Sequence, residues 1–161
     1  MNAYKSHGID IWGLTPKNEP MIGWGNWGDK LKDGVNVTHM HRDFIKMNLG
    51  PVLEKAGYGP DKLKLMIYDD NSIRLKEFTE VLLSDKETAK YVSGIAYHWY
   101  TNREIEPDKI LTEIHDKYSN HFLLNTEASL GDGDPRHLGD WHAGERYAYD
   151  IMRVTFYNIL I

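Results

Sequence analysis

The architecture of this chain is first visible in residues 63–71, LKLMIYDDN. A mostly apolar run ends in three polar residues, which is the pattern of a buried strand that leads into a loop. A helical pattern follows, with apolar residues three or four positions apart at Leu75, Phe78, Val81 and Leu82. One strand followed by one helix indicates a βα unit.

The same order of strand and helix is found three more times. The other predicted strands are residues 9–15, 94–99 and 122–126. The helical patterns that follow them are Met40, Phe44 and Met47, then Ile110, Leu111, Ile114 and Tyr118, then Tyr147, Ile151 and Val154. In the first of these helices we expect Thr38 to serve as the N-cap and Pro51 to kink or end the helix near Gly50.

Four βα units predict an α/β fold with parallel strands, either a doubly wound sheet or a barrel. No strand leads into a Gly-rich phosphate loop, and the glycines of residues 23–28 alternate with bulky Trp24 and Trp27. The barrel is therefore favoured. A complete (β/α)8 TIM barrel needs about 200 residues or more. We expect residues 1–161 to form a partial barrel domain of four units, truncated at both ends.

Composition narrows the class of protein. The 161 residues are 41% hydrophobic and 27% charged, as in one globular domain, and the net charge of −5 offers no basic stripe for nucleic acid. No apolar run reaches the roughly 18 residues of a membrane span. Because cysteine is absent, disulfides, thiolate metal sites and cysteine nucleophiles are excluded. Asn36 begins an N-glycosylation sequon, although such triplets also arise by chance.

Chemically useful residues follow the predicted strands, at the end of a parallel barrel where active sites lie. They are Glu19 after the first strand, Asp69 after the second, His98, Trp99 and Tyr100 at the third, and Glu127 after the fourth. Glu19 and Glu127 are 108 residues apart, or three units of 36. We expect them to face each other across the mouth, as the acid/base and nucleophile of a retaining glycosidase do.

Several motifs together resemble the glucosylceramidase family of glycoside hydrolases, family 30, over nearly the whole chain. They are NEP at residues 18–20, RDFI at 42–45, LGP at 49–51, LMIYDD at 65–70, AKYV at 89–92, GIAYHWY at 94–100 and NTEA at 125–128. The resemblance implies that the four strands are the fourth to seventh of the barrel. It also implies that further sugar-binding residues belong to the other strands of the family's barrel.

The resemblance also implies roles for single residues. Glu19 would be the general acid/base and Glu127 the nucleophile, while Asn18 would donate to the sugar 2-hydroxyl. The other residues assigned to substrate binding are His98, Trp99, Tyr100, Asp69 and Trp24. Tyr100 would also hydrogen-bond Glu127, and Asp69 would orient its neighbours. For Trp24, anchoring of its own loop is an equal alternative.

The implied reaction is hydrolysis of glucosylceramide to glucose and ceramide, with no cofactor and no metal. The resemblance suggests the lysosome, a saposin-type activator and an anionic membrane surface as the setting. Two alternatives stay open: another retaining barrel glycosidase acting on xylan, galactan or glucan, and an inactive fragment that only binds sugar.

Overall fold

The computed structural model of the chain describes residues 1–21, 37–100, 107–130 and 139–156. Its centre is one sheet of four parallel strands in the order β1-β2-β3-β4. The strands are β1 (Gly13–Leu14), β2 (Lys64–Asn71), β3 (Gly94–His98) and β4 (Phe122–Glu127). Strands that are adjacent in the chain are adjacent in the sheet, with helices between them. The predicted half of a (β/α)8 barrel is thus confirmed.

Helices lie along the sheet and at its ends. Among the described residues they are α1 (Asn2–Ser6), α2 (Val37–Phe44), α3 (Gly50–Lys55), α4 (Leu75–Ser84), α5 (Lys86–Ala89), α6 (Pro107–Lys117) and α7 (Trp141–Phe156). A π-helical turn (Ile45–Leu49) joins α2 to α3, and a 3-10 turn (Ser72–Arg74) joins β2 to α4. Within the described ranges, no helix combines the length and apolarity needed to cross a bilayer.

The first strand is shorter than predicted. Of residues 9–15, only Gly13 and Leu14 pair with β2, and the Trp12 carbonyl adds one hydrogen bond of 2.8 Å from the Lys64 amide. In the described part of the chain β1 has a neighbour on one side only. The prediction of a strand from residue 9 was wrong because an apolar run becomes a strand only where a partner pairs with it.

Helix α2 buries a different face from the predicted one. Met40 and Phe44, expected to face the core, are 47% exposed, while Thr38 and Ile45 are buried. His41 lies on the same side as these two, with its ring 5.5 Å from that of Phe78. Thr38 is inside the helix, so its assignment as the N-cap was wrong. The face with Met40 and Phe44 and the face with Thr38 and Ile45 both have helical spacing. Packing against α4 buries the second face, although it is the less apolar one.

Pro51 interrupts the helix but does not end it. Proline has no amide hydrogen, so the bond to the carbonyl four residues earlier is missing. The chain forms the π-helical turn Ile45–Leu49 immediately before this point and then continues as α3 to Lys55. The predicted break near Gly50 therefore takes the form of a local change in winding, as π-turns within helices do.

Residues on both faces of the sheet are buried. Ile67 and Ile95 point towards the helices, where they share a buried core with Phe78 and Leu82 of α4. The adjacent residue Ala96 of β3 is also fully buried, on the opposite face of the strand. Burial on both faces is typical of parallel strands in barrels, and it explains why β3 reads as an almost continuous apolar run.

Gly94 is a point where packing is tight enough to test. A Cβ at this position would overlap the ring of Phe122, which itself packs 5.5 Å from the ring of Trp12. We expect Gly94→Ala to lower the free energy of unfolding by about 1–3 kcal/mol, the usual cost of overpacking. Urea titration followed by circular dichroism measures this change.

Gly144, inside α7, is the matched control, because a Cβ added there would meet open space. Gly144→Ala should raise the free energy of unfolding by roughly 0.5–1 kcal/mol through a gain in helix propensity. Equal effects of the two alanine substitutions would contradict the packing described at Gly94.

Candidate active site

The polar side chains predicted at the strand ends lie together at one edge of the sheet. Glu19 belongs to the loop after β1, Asp69 to the end of β2, His98 to the end of β3 and Glu127 to the end of β4. Parallel strands of a barrel all end at the same rim, so residues far apart in the chain become neighbours there.

His98 lies at the centre of this group. Its side chain is fully buried, and both ring nitrogens face carboxylates. Nδ1 is 3.3 Å from Oε1 of Glu19, and Nε2 is 3.1 Å from Oδ1 of Asp69. Nε2 is also 3.8 Å from Oε2 of Glu127. One imidazole therefore connects acidic side chains from three different parts of the rim.

Glu19 and Glu127 approach each other closely. One oxygen of each carboxylate and one nitrogen of His98 all lie within 4.8 Å of one another. The exposed fractions of the two glutamate side chains are 25% and 44%, so both remain open to a ligand. Retaining glycosidases hold their two carboxyl groups about 5–5.5 Å apart and inverting ones about 6.5–9.5 Å. The close approach favours the retaining arrangement.

The loop that carries Glu19 is held by two consecutive aspartates of β2. The Thr15 hydroxyl donates to Oδ2 of Asp69 at 2.6 Å, and the Glu19 amide donates to the Asp69 carbonyl at 2.8 Å. The Met21 amide donates to Oδ2 of Asp70 at 2.8 Å. Glu19 itself has a φ of 46°, in the left-handed region that non-glycine residues rarely adopt.

The end of β2 is a bulge with unusual backbone angles. Tyr68 and Asp69 have φ values of 79° and 60°, and the register with β3 shifts at this point. Each such residue costs on the order of 1–3 kcal/mol, so the surroundings must hold it in place. The Tyr68 hydroxyl donates to the Asn71 carbonyl, and the Tyr68 ring packs 5.1 Å from that of Phe78. Bulges of this kind re-aim side chains beside active sites.

The Asp69 carboxylate is mostly buried among other rim residues. Its side chain is 11% exposed, and both carboxylate oxygens are occupied inside the protein. Oδ2 accepts the bond from Thr15, while Oδ1 accepts bonds from Thr126, at 2.7 Å, and from His98. Asp69 was predicted both to bind substrate and to orient its neighbours, and in the structure three hydrogen bonds from other rim residues engage this carboxylate.

The Asp69–His98 pair shifts the ionisation of both partners. Burial raises the pKa of the Asp69 carboxyl, but hydrogen bonds from His98, Thr15 and Thr126 outweigh burial and leave that pKa below its ordinary value. Burial likewise lowers the pKa of His98, yet the hydrogen bond to Asp69 and the charges of Glu127 and Asp69 raise it overall. Both shifts favour an ionised Asp69 beside a protonated His98.

Tyr100 contacts the predicted nucleophile. Its hydroxyl donates to Oε1 of Glu127 at 3.0 Å and lies 3.2 Å from the hydroxyl of Ser129. Burial raises the pKa of Tyr100, so the phenol stays protonated and remains a donor. The ring also meets that of His98 edge-on, with centroids 6.1 Å apart.

Trp99 is a packing residue. It is only 2% exposed, and its ring stacks on that of Tyr147 at 5.0 Å with an interplanar angle of 24°. Arg146 lies 5.4 Å from the indole ring, and the indole N–H donates to the Ser129 carbonyl. Tyr147 of α7 thus covers one face of the Trp99 ring, and the substrate contact of Trp99 stays a prediction.

Of three other predicted positions, one lies within the described residues. Asn18 is exposed on the rim loop directly before Glu19, where its side chain is accessible to a ligand. Trp24, the predicted stacking residue, and Asn36, the predicted glycosylation site, lie outside the described residues.

The group of Glu19, His98 and Glu127 also has the composition of a metal site, and its donor atoms are close enough for one. The orientation of His98 argues against that use. Because each ring nitrogen points at a carboxylate, the imidazole is held as a donor of two N–H groups, and a protonated imidazole has no lone pair for a metal.

Sequence reasoning missed three supporting residues. Thr15 and Thr126 fix the Asp69 carboxylate, and Tyr147 holds both the Trp99 ring and, through its hydroxyl, the amide of Leu130 at 3.1 Å. The two threonines carried a usable signal, since each stands at the polar end of a predicted strand. Tyr147 carried none, because its position in a helical apolar stripe indicated only core packing.

Known proteins match this chain in sequence. The model of the glycosyl hydrolase family 30 TIM-barrel domain matches residues 1–160. A Caenorhabditis elegans protein that carries the name of a glucosylceramidase is 43% identical over 157 residues, which are 94% of this chain and 29% of that protein. Mouse lysosomal acid glucosylceramidase is 34% identical over 162 residues, covering 99% of this chain and 31% of the relative.

Solved structures agree on the fold. A structure described as an endo-β1,6-glucanase superposes with a TM-score of 0.64 at 30% identity, over 83% of this chain and 28% of the other. SrfJ from Salmonella typhimurium superposes with a TM-score of 0.69 at 21% identity, over 94% and 32% of the two chains. The chain spans about three-tenths of the length of these proteins. With a family match that covers residues 1–160 and a rim that brings two glutamates together, the chain belongs to the TIM-barrel domain of glycosyl hydrolase family 30.

Proposed function

We propose that this chain carries the acid/base and the nucleophile of a retaining β-glycosidase that hydrolyses glucosylceramide to glucose and ceramide. The observation that supports this most is the close approach of Glu19 and Glu127, whose oxygens lie within 4.8 Å around a buried His98. Two partly exposed carboxylates at this separation match the double-displacement mechanism.

In the first step the Glu127 carboxylate attacks the anomeric carbon and forms a covalent glycosyl ester. The bond from that carbon to the ceramide oxygen breaks, its electron pair leaves with the oxygen, and the Glu19 proton neutralises it. In the second step Glu19 takes a proton from water, the oxygen of that water attacks the anomeric carbon, and Glu127 is released. Two inversions at one carbon retain its configuration.

The neighbours of the two glutamates support this division of roles. Tyr100 donates to Glu127 at 3.0 Å, which stabilises the ionised nucleophile, and protonated His98 adds a positive charge near the same carboxylate. Glu19 is the less exposed of the pair and sits on a loop held by hydrogen bonds. Asn18, exposed beside Glu19, is assigned to the sugar 2-hydroxyl.

The lipid substrate rests on the names of the relatives, which include a mouse lysosomal acid glucosylceramidase at 34% identity. We extend the proposal accordingly to the lysosome as the compartment, and to an anionic membrane surface and a saposin-type activator as partners. A second candidate is hydrolysis of a β-glucan, favoured by the 30% identity to a structure described as an endo-β1,6-glucanase. An inactive sugar-binding fragment is the third.

The test is the release of 4-methylumbelliferone from its β-glucoside at pH 5 by the folded chain, followed by competition with glucosylceramide and with β1,6-linked glucose oligomers. Stronger competition by the lipid supports the glucosylceramidase, and stronger competition by the oligomers supports the glucanase. The anomer first produced is read by proton NMR. Initial formation of α-glucose would contradict retention, and binding of glucosides without any release would support the inactive fragment.

A further inference from the structure

We infer that Asp69 is the positioning residue of this site, which sets the place of Glu19 and the orientation and charge of His98 between the two glutamates. The inference deepens the proposed function and rests on it. It does not require Asp69 to touch the substrate, since both oxygens of its carboxylate accept hydrogen bonds from other rim residues.

Asp69 bonds to every other strand end of the half-barrel. Its side chain accepts hydrogen bonds from Thr15 beyond β1, from His98 of β3 and from Thr126 of β4. Its backbone carbonyl accepts the amide of Glu19. These bonds extend across the sheet from the β1 side to β4, so a movement of Asp69 changes the position of both catalytic candidates.

The bulge at the end of β2 explains why the Asp69 side chain can bond to these residues. In a regular strand the side chains of residues 69 and 70 would point to opposite faces of the sheet. With Tyr68 and Asp69 in the left-handed region, Asp69 points at His98 while Asp70 accepts the amides of Met21 and Asn71. Both aspartates thereby hold rim groups. Left-handed backbone at two successive non-glycine residues is kept only where the surroundings enforce it, which is common at functional sites.

Asp69 differs from the other carboxylates near His98 in how strongly its charge should act on the imidazole. Among the described residues, the titratable groups that face His98 are Glu19 from the loop after β1, Asp69 from β2, Glu127 from β4 and, beyond hydrogen-bonding distance, Tyr100. Asp69 is the most buried of the three carboxylates, with 11% of its side chain exposed against 25% and 44%. Since an ion pair is screened least where it is buried, Asp69 should contribute most to the charge on His98.

The experiment follows the imidazole of His98 by NMR titration in the chain with ¹⁵N-labelled histidine. We expect Asp69→Asn, which keeps the shape of the side chain but removes its charge, to lower the titration midpoint of His98 by about one pH unit or more. Asp70→Asn is the matched control. Asp70 bonds to Met21 and Asn71 and not to His98, so its substitution should leave the midpoint in place.

Turnover gives the second readout. Asp69→Asn should lower kcat by about 10²-fold with little change in KM, because the pair is misplaced while the sugar contacts remain. Thr126→Val is the second variant, since it removes one bond to Asp69 without removing its charge. It should lower kcat less and leave the His98 midpoint unchanged. A folded Asp69→Asn protein with an unaltered His98 midpoint would overturn the inference, or, if that variant does not fold, Thr126→Val with the parent's kcat would.

The two proposals fail separately. A lowered His98 midpoint in Asp69→Asn, found together with no glucoside release by the parent chain, would reject the glycosidase and retain Asp69 as the residue that positions His98. Full activity of the parent chain together with an unaltered His98 midpoint in Asp69→Asn would retain the glycosidase and reject Asp69 as the positioning residue.

Discussion

Replacing Glu127 with Gln is expected to lower kcat for 4-methylumbelliferyl β-glucoside by roughly 10⁴-fold or more, the scale on which loss of a catalytic nucleophile acts. The amide keeps the size of the side chain and an acceptor for Tyr100, but it cannot form the glycosyl ester. Fluorescence assays of the parent chain and the variant at equal concentrations measure the change.

The matched control is Glu54→Gln, which makes the same chemical change on the exposed surface of α3. It should retain the parent's kcat. In Glu127→Ala, added azide can enter the vacated space, and a single displacement would then give the α-glucosyl azide. Recovery of the β-azide from this variant, or turnover of Glu127→Gln at the parent's rate, would remove Glu127 from the nucleophile's role.

Replacing Glu19 with Gln is expected to lower kcat for the same substrate by about 10² to 10⁴-fold, the usual contribution of general acid–base catalysis. The loss should depend on the leaving group, because a good leaving group departs without a proton. With 2,4-dinitrophenyl β-glucoside the first step should therefore proceed nearly as in the parent. A burst of dinitrophenol followed by slow turnover measures this separation of steps.

Azide distinguishes the two glutamates by stereochemistry. In Glu19→Ala it attacks the glycosyl ester that Glu127 has already formed, so two displacements should give the β-glucosyl azide. An equal loss of rate with both leaving groups would contradict the assignment of Glu19 as the proton donor. If the α-azide came from this variant, the roles of the two glutamates would be exchanged.

Much of the fold could be predicted because its signals are local. Residues 94–99 read as a buried strand, and β3 was found at Gly94–His98. Residues 63–68 read as a strand that leads into polar residues, and β2 extends from Lys64 into those residues, to Asn71. Four repeats of strand and helix then limit the topology to a few parallel arrangements. Where a pattern offered two solutions, as on the two faces of α2, the prediction failed, because the choice belongs to the helix packed against it.

Some features of the candidate site could also be predicted from local patterns, and others could not. The meeting of Glu19, His98 and Glu127 was predictable, since strand ends of a parallel barrel collect at one rim whatever their separation in the chain. The hydrogen-bond partners of Asp69 and the burial of Trp99 were not predictable. Asp69 has the residue type of a sugar ligand, and Trp99 that of a sugar platform, yet hydrogen bonds occupy the first and Tyr147 covers the second.

The amino-acid sequence alone predicts four parallel βα units and the residues that meet at the ends of their strands, because these depend on periodicity and on which residues follow each strand. The bulge at Tyr68 and Asp69, the bonds from Asp69 to His98 and Thr126, and the burial of Trp99 arise only in the folded chain. Each of them depends on contacts between residues far apart in the chain, and no local pattern records which atoms such residues will present to one another.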